Sequence, residues 1–567
     1  MKLRTSFCNG KVLLKNLTRF APVWVLFAVA EVLGLCSLNL SNEAFWIVDD
    51  MQYVMGAASV FHAAYAIIVA ACLFGDLFDS RLCNGLHAMP MRREGWLVTG
   101  LISGFLFALI PAVVGGTLAA IALREYWTVA IAWQLCSLLQ FTFFFGAAVF
   151  SALCAGKRLG MVAIFALVNF LSMLVYWVAT ILYQPLLPGV MLSDDWFSRF
   201  SPLFTMVTDT YYEINITSGD LYRTVIFEGY EPSAWIYLFI CAGVGVVFML
   251  LAWPLYRKRD LETAGDFISS RPMRGVFLIA YTFAMGALVF NFMELFWGRD
   301  VEYGFLAVGL VIGWFTGWML LERTAKIFTK KVLAYFAVFA LLFGGSIGLT
   351  MMDPAGITTY IPSDETIENA SLYFMQDRYF YELGQEQDGW YATQPEEIDQ
   401  VQQLHSQLTK APREVSGEII TVYVRYALKN GTHIYREYDI DADGQMAAML
   451  KPFFNDVRSV FDTDDWEYVK NAVMQVQFYT YDKNEFVEFN GKAQMQGLLE
   501  AIEADCLAGN MAQHQYYHRD QEELYSLDIT WSIERDKNTG ADARTEHIQI
   551  YADCTNTIAF LETLEMN

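Results

Sequence analysis

The chain lacks the short motifs by which many enzymes hold nucleotides or metals. No Gly-x-x-x-x-Gly-Lys-Ser/Thr phosphate loop occurs, so no segment is expected to hold the phosphates of ATP. No HExxH pair, no CxxC pair and no other Cys/His ligand spacing occurs, which argues against a zinc site. We therefore predict no catalytic residues, no metal site and no nucleic-acid partner, and a polytopic membrane enzyme is disfavoured.

Cysteine and histidine are few and scattered. Seven of the nine cysteines fall in or beside apolar segments, where Cys behaves as a small apolar residue. Only Cys506 and Cys554 lie in the C-terminal part, where an extracellular compartment would permit a disulfide. Of the seven histidines, only His514 and His518 have the spacing of one helix face, in a polar stretch that does not favour metal binding.

Basic residues are scarce in the last part of the chain. Residues 353–567 carry 15 Lys/Arg against 39 Asp/Glu, whereas residues 1–352 carry 23 against 22. The acidity of residues 353–567 has two explanations: a solvated surface that keeps a domain soluble, or a field that attracts cationic peptides. Either explanation indicates a water-soluble domain at the C-terminus.

Long apolar runs dominate the rest of the chain. A membrane-spanning helix needs roughly 20 mostly apolar residues. Nine runs meet this length, at about 20–40, 53–77, 96–123, 129–153, 159–182, 234–255, 276–296, 303–321 and 332–352. The eighth carries Gly309, Gly313 and Gly317, a spacing that favours close helix packing in lipid. The predicted fold is a polytopic α-helical membrane protein of about nine spans with a C-terminal α+β domain.

The connections between these runs differ in charge. With a cytoplasmic N-terminus, the inner segments hold 19 Lys/Arg and the outer ones hold 4. Cytoplasmic loops of membrane proteins carry such an excess. An odd number of spans then places residues 353–567 outside the cell. The prediction is a multi-pass cell-membrane protein with a cytoplasmic N-terminus and an extracellular acidic domain.

Two features of the N-terminal part concern the lipid. Residues 1–19 alternate apolar residues with Lys11, Lys15 and Arg19, which predicts an amphipathic helix on the inner membrane surface; a plain basic flank fits equally well. Glu31 lies mid-span, where a carboxyl must face protein or water. It is a candidate for lining a substrate path, and the alternative is a hydrogen-bonded carboxyl that packs two helices.

The connection after the second run carries the most specific motif. Residues 73–96 read LFGDLFDSRLCNGLHAMPMRREGW, a helix that continues past the apolar run and then a basic turn. The segment 87–94, HAMPMRRE, resembles the His-Ser-Leu-Pro-x-x-Arg-Glu loop of ABC-2-type exporter permeases of Firmicutes, with Ala88 and Met89 in place of Ser and Leu. Residues 14–24 and 256–266 resemble two further segments of these permeases, in the order found in Ytr-type operons. An ordinary basic loop is the alternative.

The resemblance implies that the membrane permease and the ATPase are separate chains. Residues 20–255 would form a six-helix core that works as a pair with a second permease copy or paralogue, and residues 256–352 would add a cytoplasmic linker and three spans. ATP and Mg²⁺ would be bound by a separate cytoplasmic ABC ATPase, with no cofactor on this chain. The loop 84–95 would dock on that ATPase. The implied coupling residues are His87, Met89, Pro90, Arg92, Arg93, Glu94, Arg259 and Glu262, of which the last two make a second contact or brace helix ends.

The C-terminal domain shows a repeated pattern. Three hairpin-then-helix units are predicted, with hairpins at 418–440, 475–489 and 527–551 and helices at 443–454, 491–509 and from about 555. The Asn430-Gly431 pair predicts a type I′ turn in the first hairpin. Internal duplication is suggested, and we expect residues 361–567 to fold on their own.

These observations favour a transmembrane permease subunit of an ABC transporter that exports a hydrophobic or amphipathic compound or peptide. The alternative is a peptide or antibiotic sensing or resistance module, in which the outer domain binds a peptide and the membrane part signals to an associated ATPase. An acidic domain outside the membrane fits both functions.

Overall fold

The computed structural model describes the chain in two units, Met1–Ala179 with Asp194–Phe343 and Thr180–Ser193 with Gly344–Asn567. We call them the helical unit and the acidic unit. The structure describes all residues except 1–8, 38–43, 89–91, 124–126, 194, 209–213, 219–224, 231, 298–302, 375–389, 412–418, 443, 462, 464, 482–484, 490, 513–520, 533–542 and 566–567.

Helices make up most of the helical unit. Their bounds are α1 Gly10–Arg19, α2 Ala21–Ser37, α3 Ala44–Leu73, α4 Ser80–His87, α5 Arg93–Leu123, α6 Trp127–Cys154, α7 Arg158–Val178, α8 Asp195–Arg199, α9 Pro202–Thr208, α10 Pro232–Lys258, α11 Arg271–Trp297, α12 Tyr303–Glu322 and α13 Lys330–Met352. Among the described residues, eight helices are long and apolar enough to cross a membrane. The pair α1 and α2, bent by 61°, would make a ninth span.

The predicted runs match these helices, with differences at their ends. α3 begins at Ala44, whereas the run was predicted from 53, and α5 begins at Arg93. Polar residues precede both apolar runs, so hydropathy places the start of each helix too late. The segment between α7 and α10 also holds elements that hydropathy does not indicate: α8, α9 and the hairpin of β2 (Ile214–Ser218) and β3 (Val225–Tyr230).

The glycines of α12 lie against α11, as their spacing predicts. A Cβ added at Gly309 would lie 2.9 Å from the Met285 carbonyl oxygen, and one at Gly313 would lie 2.8 Å from that of Thr282. Contacts this short are not tolerated, so the two backbones approach closely only because these positions lack a side chain.

The acidic unit contains two sheets, each with its own core. The first is antiparallel, with strand order β1-β7-β6-β4-β5, and the second has the order β11-β10-β8-β9. The strands are β1 Val190–Met191, β4 Ile367–Phe374, β5 Trp390–Ala392, β6 Ile419–Leu428, β7 His433–Asp441, β8 Val473–Thr480, β9 Glu485–Phe489, β10 Glu523–Ser532 and β11 Ala543–Tyr551. The helices are α14 Pro395–Leu408, α15 Gln445–Phe454, α16 Val457–Val460, α17 Trp466–Ala472, α18 Lys492–Ala508 and α19 Thr555–Glu565.

The two sheets share one topology, and we call them with their helices lobe A (367–454) and lobe B (473–565). In each lobe, two strands and a helix are followed by two more strands and a second helix. The sheet order is the same, since β5-β4-β6-β7 corresponds to β9-β8-β10-β11. The three predicted hairpin–helix units are all present, but a fourth, β4-β5-α14, precedes them. The acidic unit is therefore a duplicated ββαββα arrangement.

Alternation along the strands explains both cores. In β6, Ile420, Val422 and Val424 are at most 1% exposed, as expected for residues that share one face of a strand. In lobe B, Leu527 and Ile529 of β10 are fully buried in the same way. Helices cover these faces, so each lobe is a sheet layer under a helix layer.

The hairpin of β6 and β7 has a turn that differs from the predicted one. Gly431 has φ = +79°, as a glycine at this position was expected to have. Asn430 is not among the described non-glycine residues with positive φ, so the turn is not type I′, which needs positive φ at two consecutive residues. Instead, the Gly431 N–H donates to the Leu428 carbonyl oxygen at 2.8 Å and closes a turn over residues 428–431. Gly431 is the last residue of this turn and has the left-handed conformation.

Replacing Gly431 by valine should lower the stability of the acidic unit. An L-residue in the left-handed region costs about 1–2 kcal/mol, and a β-branched one costs more. We expect chemical denaturation of a soluble 353–567 fragment to show a loss of at least about 1 kcal/mol. Gly431→Asn should lose much less because Asn tolerates this conformation. Equal stability of the valine variant and the parent would contradict the turn.

A soluble fragment of the acidic unit is better begun before residue 361. Arg436 is 3% exposed, and its Nη2 donates to the carbonyl oxygens of Ile357 at 2.8 Å and Tyr360 at 3.0 Å. A fragment beginning at 361 would leave this buried guanidinium without both acceptors, which is costly. A fragment that begins at Asp353 keeps both acceptors, and it leaves out β1, which pairs with the edge of β7.

Candidate partner-docking site

A short helix, α4, stands between the long helices α3 and α5. Asp79 precedes it, and its carboxylate accepts from the backbone N–H groups of Arg81 at 2.8 Å and Leu82 at 3.2 Å, the usual way to cap a helix start. Cys83 faces inward at 1% exposure, and burial raises the pKa of its thiol. Arg81 is exposed and Leu82 is 55% exposed. The helix therefore presents a cation and an apolar side chain on its outer face.

Arg259 joins three connections beneath this helix. The side chain is 9% exposed, and burial lowers the pKa of its guanidinium. Its Nη1 donates to the carbonyl oxygens of Ala152 and Leu153 at 3.0 Å each, and its Nη2 donates to that of Leu77 at 3.0 Å. The carbonyl groups at the ends of α3 and α6 are thus tied to the end of α10. A planar guanidinium with several N–H donors suits this bridging role.

Arg93 and Glu94 join the start of α5 to the end of α10. Arg93 is half-buried, and its Nη1 lies 3.4 Å from the Arg257 carbonyl oxygen and 3.5 Å from that of Arg259. Glu94 forms an ion pair with Arg257 at 3.5 Å, in a partly exposed position. Surface pairs of this kind add little stability, and the carbonyl contacts of Arg93 are long, so each of these contacts is a weak restraint.

Two glycines allow the connection after α6 to lie against the connection after α10. A Cβ at Gly156 would lie 2.3 Å from the Thr263 carbonyl oxygen, and one at Gly160 would meet the carbonyl of Phe267. The Gly265 N–H donates to the Gly156 carbonyl at 2.7 Å. Only glycine permits this approach, so the pattern Gly-x-x-x-Gly at 156–160 is a packing requirement.

The connection after α12 reaches the same end of the helical unit. Asp266 accepts from Arg274 at 3.2 Å and also pairs with Arg323, which lies after α12. The helix α1 approaches the start of α5, since the Asn16 Nδ2 donates to the Ser103 Oγ at 3.0 Å. The N-terminal segment and the connections after α3, α6, α10 and α12 are the five segments that the sequence predicts on the basic, inner side. They lie together at one end of the helical unit, as spans that alternate in direction require. We call this assembly of the connections after α3, α6, α10 and α12 the basic junction.

The predicted coupling residues have different roles in the basic junction. Arg259 and Arg93 brace it, and Glu94 supports it through Arg257. Arg92 and Glu262 are exposed. The side chain of His87 and residues Met89 and Pro90 lie outside the described part. Arg81 and Leu82, which are not among the predicted coupling residues, lie on the exposed face of α4. A cation beside an apolar residue in a short segment after an apolar run is the sequence signal for them.

Glu31 lies at a contact between two helices. It is 5% exposed, and its Oε2 accepts from the Nε2 of Gln134 on α6 at 2.7 Å. This hydrogen bond joins α2 to α6, and a role for Glu31 in a substrate path stays a prediction. Two turns further along α6, Gln140 pairs with His62 of α3 at 2.5 Å, and His62 is 1% exposed. Polar residues inside apolar runs, here His62 and Gln140, are the sequence signal for this second pair.

Three features of the sequence could carry chemistry: histidine and carboxylate groups, the pair Cys506 and Cys554, and one serine motif. Within the described residues, no group of three His, Cys, Asp or Glu has a metal-binding arrangement, and His514 and His518 lie outside them. Cys506 and Cys554 are both buried and free. The pattern Gly-x-Ser-x-Gly occurs at 344–348, inside α13 rather than at the strand-to-helix turn of a hydrolase, and Ser346 Oγ lies 2.7 Å from the Tyr183 hydroxyl.

Comparison with known proteins adds no family. No family model, no curated protein and no solved structure matches this chain.

Proposed function

We propose that this chain is the membrane-spanning permease subunit of an ABC transporter, driven by a separate cytoplasmic ATPase. The basic junction would face the cytoplasm, the acidic unit would lie outside the cell, and a second permease copy or paralogue would complete the transporter. The cargo would be a hydrophobic or amphipathic compound or peptide, moved outward. Further parts of the proposal are nine spans and an interfacial position for α1.

The observation that carries this proposal is the short helix α4 on a braced base. Arg259 ties the ends of α3, α6 and α10 together, so a force on α4 would reach several long helices at once. The exposed Arg81 and Leu82 supply one charge and one apolar contact for a partner. A small rigid element with such a face suits the transfer of motion from an ATPase to a membrane domain.

The double replacement Arg81→Glu with Leu82→Glu should uncouple the complex. It reverses the charge and removes the apolar contact without touching the brace, so expression and membrane insertion should stay normal. We expect loss of most substrate-stimulated ATP hydrolysis in the purified complex of permease and ATPase. Arg93 is a poorer choice for this test because it also holds the base of the junction.

Lys326→Glu is the matched control. Lys326 is exposed on the connection after α12, which belongs to the same junction, and the replacement reverses one positive charge, as Arg81→Glu does, away from α4. It should leave the stimulation intact. Normal stimulation in the α4 double variant, or equal loss in both variants, would refute docking through α4.

A sensing or resistance module is the second candidate, favoured by the duplicated acidic unit. In that case the associated ATPase would respond to a peptide outside the cell while no cargo crosses the membrane. Uptake into inside-out vesicles separates the two functions. Transport with ATP supports the permease, and ATP hydrolysis without transport supports the sensor.

A further inference from the structure

A cleft of about 650 Å³ lies between the two lobes of the acidic unit. Its walls are the second helix of lobe A, α15, the short connecting helix α16 and the first helix of lobe B, α18. This volume falls within the range of about 300–1,000 Å³ that ligand sites occupy. Duplicated lobes that face each other across such a cleft enclose a ligand from two sides.

The base of the cleft is fixed by one asparagine. Asn455 is 4% exposed; its Oδ1 accepts from the Met511 N–H at 2.6 Å, and its Nδ2 donates to the Lys451 carbonyl oxygen at 2.8 Å. Met511 belongs to the core of lobe B, and the adjacent Ala512 belongs to that of lobe A. The two lobes are therefore joined at this point, and the cleft above it is a formed feature of the acidic unit.

The cleft has an apolar wall. Leu507 is 87% exposed although it lines a concavity, and Pro452 and Val457 line the opposite side. A large apolar side chain exposed in a cleft favours a ligand with apolar groups of its own, because burial against it is favourable.

The sign of the field around the cleft depends on more than its lining side chains. Asp456 and Glu503 line it, and Lys451 is the cation in its lining. Both α15 and α18 end here, and each helix C-terminus carries a partial negative charge of about half an electron. Asp456 is already paired with Arg458, and Glu503 lies 3.5 Å from Lys470. The helix ends and the large excess of acidic residues in 353–567 therefore set the sign of the field.

We propose that this inter-lobe cleft binds a cationic amphipathic peptide. Apolar side chains of the peptide pack on Leu507, and its basic side chains lie toward Glu503 and the ends of α15 and α18. The assignment deepens the proposed function, since the role of the peptide as cargo or trigger rests on that function. Binding to the cleft requires no ATPase, so the two ideas are tested separately.

The test uses the full chain in nanodiscs of phosphatidylcholine, with empty nanodiscs as the blank. The probe is a short labelled peptide of leucine and lysine, and the comparison is a leucine and glutamate peptide of equal length. The lysine peptide should bind and the glutamate peptide should not. Leu507→Lys should weaken binding about tenfold, because it removes the apolar contact and adds repulsion. Lys451→Glu should tighten it about threefold.

Phe486→Lys is the matched control. Phe486 is 79% exposed on β9, outside the cleft, and the replacement makes the same change from an apolar residue to a cation. It should leave the affinity unchanged, and binding to the parent should weaken as salt rises. Equal binding of both peptides, no binding above the blank, or equal effects of the Leu507 and Phe486 replacements would overturn the assignment. None of these measurements involves ATP hydrolysis, so such a result would refute peptide binding in the cleft without refuting the proposed transport function.

Discussion

Replacing Arg259 by methionine is expected to prevent the helical unit from assembling. The guanidinium donates to three carbonyl oxygens, two in the last turn of α6 and one in the connection after α3, at 3.0 Å each. Methionine has a similar length but donates no hydrogen bond, so the carbonyls of Leu77 and Ala152 would lose this donor, while that of Leu153 keeps the Ser269 hydroxyl at 3.3 Å. Each buried unsatisfied group costs about 1–3 kcal/mol, and the sum is a large fraction of a typical folding free energy. The measurement is the yield of monodisperse protein and its melting temperature in detergent.

Two further variants distinguish the loss of the hydrogen bonds of Arg259 from the loss of a positive charge. Lys258→Met removes a cation from the exposed neighbouring position and should leave yield and melting temperature close to the parent values. Arg259→Lys keeps the charge but has a single ammonium group, which lacks the planar fork, and should be intermediate. A normal yield for Arg259→Met would show that the basic junction does not depend on this side chain.

The acidic unit should lose stability as the pH falls below about 6.5, because of His405. This imidazole is fully buried between two tyrosine hydroxyls, 3.0 Å from that of Tyr426 and 2.9 Å from that of Tyr438. Burial and the nearby Arg436 lower its pKa from 6.5 to about 3. Between these two values the unfolded chain binds a proton that the folded chain does not. Stability is therefore fully present above pH 6.5 and falls by up to about 1.4 kcal/mol per pH unit below it.

Urea denaturation of the 353–567 fragment between pH 6.5 and 4.5 measures this slope, above the range in which most carboxylates titrate. His405→Gln should be less stable at neutral pH. Its free energy of unfolding should also depend less on pH, because the variant lacks the one proton that the unfolded parent takes up at residue 405. Tyr426→Phe removes a hydroxyl partner and keeps the buried imidazole, so it should keep the slope. An unchanged slope in His405→Gln would contradict the assignment.

Helix and strand positions were predictable where the pattern is local. Apolar length identified the long helices, glycine spacing identified the contact of α12 with α11, and alternation identified the hairpins of both lobes. Each of these depends on residues close in sequence. The strands β4 and β5 were missed because β5 has three residues, too few to show alternation. The strand β1 was missed because it joins β7 from a distant part of the chain.

The candidate site was predictable in location but not in detail. Charge counts placed the basic connections on one side, and the structure brings them together. Whether a basic residue is exposed or braces backbone carbonyls depends on tertiary contacts, which is why Arg259 and Arg93 differ from Arg81. The duplication of the lobes was visible only as a repeated order of elements, and the cleft between them has no signature in the sequence.

We propose that the basic junction faces the cytoplasm and that the acidic unit lies outside the cell. Single cysteines at Leu82, on α4, and at Asn430, in the hairpin turn, test it in a chain without Cys8 and Cys36. Both positions are exposed. In intact cells, an impermeant thiol reagent should label the cysteine at 430 at once and the cysteine at 82 only after the membrane is permeabilised. Labelling of the cysteine at 82 in intact cells, or of that at 430 only after permeabilisation, would contradict the account.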